Sequence, residues 1–143
     1  MTDALHRDPA LIEHGTAVLR ELRELGSSLV YAVVLTDDGF EVVHLSTVRS
    51  GDASSDGRLA SMASSIQALS EAVTRELGIG DSRSVTIASD HGHVVQLRVP
   101  GHPLVVAALF DDDETLGKAL SLTRRSAEKI ADFVTTTPSA VSS

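Results

Sequence analysis

Residues 84–110 read Ser84-Val85-Thr86-Ile87-Ala88-Ser89-Asp90-His91-Gly92-His93-Val94-Val95-Gln96-Leu97-Arg98-Val99-Pro100-Gly101-His102-Pro103-Leu104-Val105-Val106-Ala107-Ala108-Leu109-Phe110. Three β-prone runs, 84–88, 93–99 and 104–110, alternate here with two clusters of turn formers, Asp90-His91-Gly92 and Pro100-Gly101-His102-Pro103. Joins this short close hairpins, whereas parallel strands need a crossover of a dozen residues or more. The third run is almost wholly apolar, as a strand covered on both faces must be, and is expected at the centre of a sheet.

Towards the N-terminus, Gly78-Ile79-Gly80-Asp81 stops a helix expected over about 58–77. Along it Leu59, Met62, Ile66, Leu69 and Val73 recur at spacings of three and four, a stripe assigned to the sheet. A neighbouring stripe of small residues, Ser61, Ser64, Ser65, Ala68 and Ala72, is surplus to that packing. Either it lets the same helix of a second subunit approach closely across a two-fold axis, or it is a solvated face. Residues 46–57, rich in Ser, Gly and Asp, are expected to form a loop. Before them, Leu29–Leu35 and Phe40–Leu45 flank Asp37-Asp38-Gly39 as a hairpin. A first helix is expected over 9–25, with Asp8 as cap, Pro9 in its first turn and Gly26 at its end. Its stripe is Leu11, Val18, Leu22 and Leu25, with Gly15 a weak spot in the same row.

On the C-terminal side, Asp111 to Glu114 precede a helix with the stripe Leu116, Leu120, Thr123, Ala127, Ile130 and Val134. Acidic residues there complement the helix macrodipole and are read as capping. The expected domain is residues 1–134, followed by a disordered Thr/Ser/Pro tail over 135–143. The order α-β-β-α-β-β-β-α specifies an α+β fold, a five-stranded antiparallel sheet covered by helices on both faces.

Composition narrows the function. With 143 residues, 42% of them hydrophobic, the chain supports one core. A net charge of −8 with three Phe, one Tyr and no Trp disfavours nucleic acid and anionic membrane surfaces as partners. The absence of cysteine removes disulfides, thiolate metal sites and a cysteine nucleophile. An acidic N-terminus with no apolar stretch behind it is not a signal peptide, and the expected location is the cytoplasm.

Chemical motifs are few. His91, His93 and His102 are one candidate metal set, but they sit in or beside turns without a completing carboxylate or thiolate. The acidic run Asp111 to Glu114 could hold Mg²⁺, but adjacent carboxylates entering a helix point in different directions, so capping is the better account and no metal is expected. Ser126-Ala127-Glu128-Lys129 matches a serine–lysine spacing but lacks the companion elements of enzymes that use it. Gly78-Ile79-Gly80 follows a helix rather than a strand and has no third glycine, so it is not a phosphate loop. No catalytic residue, cofactor or metal is assigned, and the chain is read as a non-enzyme.

The element order, the turn at Asp38-Gly39, and the segment from Gly57 through Leu69 into Leu77-Gly78 resemble the Roadblock family, named for a dynein light chain, over about 8–134. The resemblance implies a profilin-like α/β/α sandwich. It also implies a homodimer formed by the middle helix and the strand after it, which adds Val85 and Ile87 to the interface candidates Ser61, Ser64, Ser65, Ala68 and Ala72. Family members regulate or scaffold Ras-like small GTPases, some accelerating GTP hydrolysis without inserting an arginine, so no finger role falls to Arg49, Arg58 or Arg83. The expected partners are a second copy and such a GTPase. The alternative reading is a small-ligand sensor, disfavoured by few aromatics and no convergent polar cluster.

Overall fold

The computed structural model describes residues 2–47 and 53–136. After a short 3₁₀ turn at Thr2–Arg7, the order is α1 (Pro9–Leu25), β1 (Leu29–Thr36), β2 (Glu41–Ser46), α2 (Ala53–Glu76), β3 (Ser84–Ser89), β4 (Gly92–Arg98), β5 (Leu104–Asp111) and α3 (Leu116–Thr136). The strands form one sheet in the order β2-β1-β5-β4-β3. Every neighbouring pair is antiparallel. The apolar run Leu104–Phe110 is the middle strand, as its two-sided hydrophobicity requires.

α1 and α3 cover one face. Their core joins Leu11, Val18, Leu19 and Leu22 of α1 and Ile130 and Val134 of α3 to Ala32, Val34, Val95, Val106 and Phe110 of the sheet. α2 covers the other face, where Ala60 and Ala63 meet Tyr31, Val33, Leu35, Val105 and Ala107. The period-2 alternation of strands sends β1 and β5 side chains to the two cores in turn.

α1 has the expected bounds. The Asp8 carboxylate accepts a hydrogen bond from the Ala10 amide at 2.9 Å, and the Gly26 amide donates to the Leu22 carbonyl at 2.8 Å. Gly15 is a site of close approach rather than a weak spot: a Cβ there would lie 3.0 Å from Val43 Cγ1, so its absence lets the helix settle on β2. Leu25, placed in the buried stripe from spacing, is exposed at the last turn. α1 is tied to α3 by His14 stacked on Phe133 and by Lys129 Nζ donating to both Glu21 carboxylate oxygens at 2.6 and 2.8 Å.

Three boundaries move. α2 begins at Ala53 and takes in residues expected in the loop 46–57, while 48–52, with Arg49, lie outside the described residues. α3 runs through Thr136, so Thr135 and Thr136 are helical, and 137–143 lie outside the described residues. The cap of α3 is Thr115, whose Oγ1 accepts from the Lys118 amide at 3.2 Å, not the acidic run before it. Asp111 instead turns the chain by accepting from the Asp113 amide at 2.9 Å. Among the described residues no helix is long and apolar enough to cross a membrane.

Candidate functional site on the middle helix and the edge strand

The side of α2 that meets the sheet carries small and polar residues. Ala60, Ala63 and Gln67 are buried there. Under them the sheet presents bulky Tyr31, Val33, Leu35 and Val105, so alanine on the helix gives complementary packing without overlap. The contact is anchored by amides. Gln96 Nε2 donates to the Ala63 carbonyl at 2.8 Å and to Gln67 Oε1 at 3.3 Å, both ends buried. One turn on, Glu71 accepts from the Ser82 amide at 3.0 Å and from Gln67 Nε2 at 3.3 Å, and pairs with Arg98 of β4. These bonds hold the carboxyl of Glu71 below its ordinary value, the Ser82 amide foremost and Arg98 assisting against the opposing effect of burial.

This reverses the face assigned from spacing. Of the stripe given to the sheet, Met62 is 49% exposed, Leu69 68% and Val73 48%, while Leu59 and Ile66 are half-buried. Spacings of three and four identify an apolar face, not what covers it. The sheet accepts the alanine and glutamine side because its own residues fill the space. The large apolar side is thereby turned outward, continuing into Leu77 at 65% exposure. A depression of about 390 Å³ lined by Ala72, Val73, Glu76 and Leu77 lies at its end.

The interface candidates fall around this outward face. Ser61, Ser65, Ala68 and Ala72 are exposed, and Ser64 is half-buried, close to the β1–β2 turn at Gly39. β3 is an edge strand with β4 as its partner. Val85 lies opposite Gln96 and Ile87 opposite Val94, which places both on the α2 side of the sheet, Ile87 largely exposed. Gln67, Glu71, Gln96 and Arg98, which fix the helix in place, went unnoticed in the sequence. The available signal was a glutamine inside the run Val94-Val95-Gln96-Leu97, where an apolar residue is the norm.

The motifs tested for chemistry are dispersed or occupied. His91 lies in the turn before β4, His93 near the start of that strand and His102 in the turn beyond its end, and the three form no cluster among the described residues. His93 Nε2 is 3.1 Å from the Glu114 carbonyl and His102 Nε2 is 3.0 Å from Thr135 Oγ1. The carboxylates of Asp111, Asp112 and Asp113 do approach within 4.8 Å of one another, contrary to the divergence expected of adjacent residues, because the Asp111 turn folds them together. Ser126 is buried and bonded to the Leu122 carbonyl, and Lys129 is committed to Glu21, so they form no nucleophile and base.

The Roadblock/LC7 domain profile matches residues 17–108, from α1 through most of β5. No curated protein sequence matches the chain significantly. Among solved structures, the gliding protein MglB of Thermus thermophilus superposes with a TM-score of 0.76 at 20% identity, over 86% of this chain and 90% of that one. MglB of Myxococcus xanthus gives 0.77 at 14% identity, over 92% and 93%. An MglB with a tetrameric arrangement gives 0.78 at 21% identity, over 92% and 93%. With a profile match spanning well over half its length and a sheet and helix order that agree with these structures, the chain belongs to the Roadblock/LC7 domain family.

Proposed function

We propose that the chain is a non-enzymatic regulator or scaffold of a Ras-like small GTPase, acting in the cytoplasm as a homodimer. The observation that carries this reading is the outward face of α2, where Met62, Leu69 and Val73 stand exposed on an ordered helix beside an edge strand. Full burial of such side chains is favourable by about 1.5–3 kcal/mol each, so a partner gains what the monomer leaves unused. A second copy is the natural cover. Two α2 helices related by a two-fold axis would interleave Met62, Leu69 and Val73 with the small Ser61, Ser65, Ala68 and Ala72, and two β3 strands would satisfy one another's free edge. Val85 and Ile87 lie on the side of the sheet that such pairing joins, and Ser64, half-buried near the hairpin turn, lies towards its margin.

Family membership and likeness to the gliding protein MglB support a GTPase as the further partner, and the tetrameric MglB supports self-association. The same reading takes residues 1–134 as one domain that needs neither metal nor cofactor. The test is titration of small GTPases from the same organism, loaded with a non-hydrolysable GTP analogue or with GDP. Switch loops are ordered by the γ-phosphate, so a surface fitted to one state binds the other more weakly, by roughly 5- to 150-fold for a typical coupling. Equal affinity for both states removes regulation and leaves a scaffold. Binding to neither, together with a metabolite that raises the melting temperature, replaces the proposal with a ligand sensor.

A further inference from the structure

Gln96 is an exception in its strand. It follows Val94 and Val95 and precedes Leu97, is only 1% exposed, and lies between Ala107 of β5 and Val85 of β3. Its Nε2 donates to the Ala63 carbonyl and to Gln67 Oε1, whereas its Oε1 is buried with no hydrogen-bond partner among the described residues. An apolar side chain of similar volume would avoid that cost, so stability alone does not account for glutamine here. Buried polar groups of this kind are best attested as devices that fix register and orientation.

Orientation is what α2 has to settle. Its outward stripe, Met62, Leu69 and Val73, lies about a third of a turn around the axis from the buried Ala60, Ala63 and Gln67. The hydrophobic effect by itself favours turning that stripe onto the sheet. Over β1 and β5 the bulk of Tyr31, Val33, Leu35 and Val105 leaves room for Ala60 and Ala63, which settles the first half of the helix. From Ala63 onward the hold is polar and comes from β4: Gln96 on Ala63 and Gln67, then Arg98 on Glu71. A roll that turned the stripe of this half inward would take both acceptors from Gln96 and leave its amide buried. We propose that Gln96 is a positioning residue for assembly: through Ala63 and Gln67 it fixes the rotation of the second half of α2 and so keeps Leu69 and Val73 outward for a second copy. The rotation stands by itself, and only its consequence for assembly rests on the pairing proposed above.

The variant is Gln96→Leu, close in volume, with Gln96→Met in its place should the first not fold. Rotation is read on the full chain carrying Ala68→Glu, which removes pairing as a source of protection, from the relaxation that a soluble gadolinium chelate imposes on the Leu69 and Val73 methyls. With Gln96 in place both should relax as exposed groups, and with Gln96→Leu they should move towards the slow relaxation of the buried Val33 and Val105 methyls. Pairing, followed by sedimentation without Ala68→Glu, should weaken about tenfold or more as apolar contact is forfeited. Val95→Ala, which weakens the same strand from its other face, should change neither reading. Unchanged methyl relaxation in Gln96→Leu overturns the proposal whatever happens to pairing, because bulk alone then sets the face. The same loss of exposure in Val95→Ala also overturns it, by making the effect a general loosening. Inward methyls with undiminished pairing overturn the link to assembly, and a wild type that never pairs removes the pairing itself while the methyls still test the rotation.

Discussion

Glu71 ties three elements together, because its carboxylate on α2 receives the Ser82 amide from the loop before β3 and the Arg98 guanidinium from β4. Its side chain is mostly buried, so Glu71→Ala removes charge-assisted bonds and leaves donors unpaired, at an expected cost of about 1–3 kcal/mol in chemical denaturation. The sign of the pH response follows from the same contacts. Glu71 and Glu21 both titrate below their ordinary 4.5 in the folded chain, Glu21 chiefly through its hydrogen bonds from Lys129. A depressed carboxyl binds fewer protons folded than unfolded, so its contribution is complete above the unfolded value and is lost as pH falls through the folded one. Urea midpoints should therefore hold near neutrality and fall below about pH 4.5, with a shallower fall in Glu71→Gln. An unchanged acid limb in that variant would remove Glu71 as a cause. Gly92 offers a steric counterpart. A Cβ at this position would lie 2.7 Å from the Phe110 carbonyl oxygen of the neighbouring strand, so Gly92→Ala should lose about 1–3 kcal/mol without altering α2.

For the elements, α2 makes the sharpest test because its two sides respond oppositely to substitution. Ala63 is buried against the sheet and its carbonyl holds Gln96, so Ala63→Leu overpacks this layer and should destabilise the monomer by about 1–3 kcal/mol. Leu69 lies 68% exposed on the outward side, and Leu69→Glu or Ala68→Glu should leave the melting temperature of the isolated fold nearly unchanged. Their expected effect is on assembly. Wild type should scatter light as twice the 15.0 kDa of one chain at micromolar concentration, and either variant should approach the single-chain mass. A wild-type protein at the single-chain mass, or a variant that stays paired, moves the interface away from α2.

For the molecule as a whole, the prediction joins assembly to function: a variant made monomeric at Leu69 should also lose the nucleotide-dependent binding of a small GTPase if the partner sits across both subunits. Full binding by a folded monomer would assign the GTPase to one subunit alone. Element order, the hairpins and the central place of Leu104–Phe110 were legible in the sequence, because periodicity and turn chemistry act over a few residues. So were the bounds of α1, whose cap, first-turn proline and terminal glycine are all local signals. The start of α2 was not, since a Ser/Gly/Asp stretch reads as loop when no apolar period marks it as helix. On α2 the side that spacing assigns to the sheet is reversed, with Met62, Leu69 and Val73 exposed and Ala60, Ala63 and Gln67 buried. An apolar stripe states only that something apolar covers it, and whether that is the chain's own sheet or a neighbour depends on the volume the opposing strands already fill. Tyr31, Val33, Leu35 and Val105 fill it, and only three-dimensional packing brings them under Ala60, Ala63 and Gln67. The bonds from Gln96 and Arg98 to α2 were hidden for the same reason: these residues lie 27 to 33 positions from their partners in sequence and meet only across the layer between helix and sheet. Local sequence thus determined which elements form and in what order, while tertiary packing decided which faces of those elements were buried and which were left exposed.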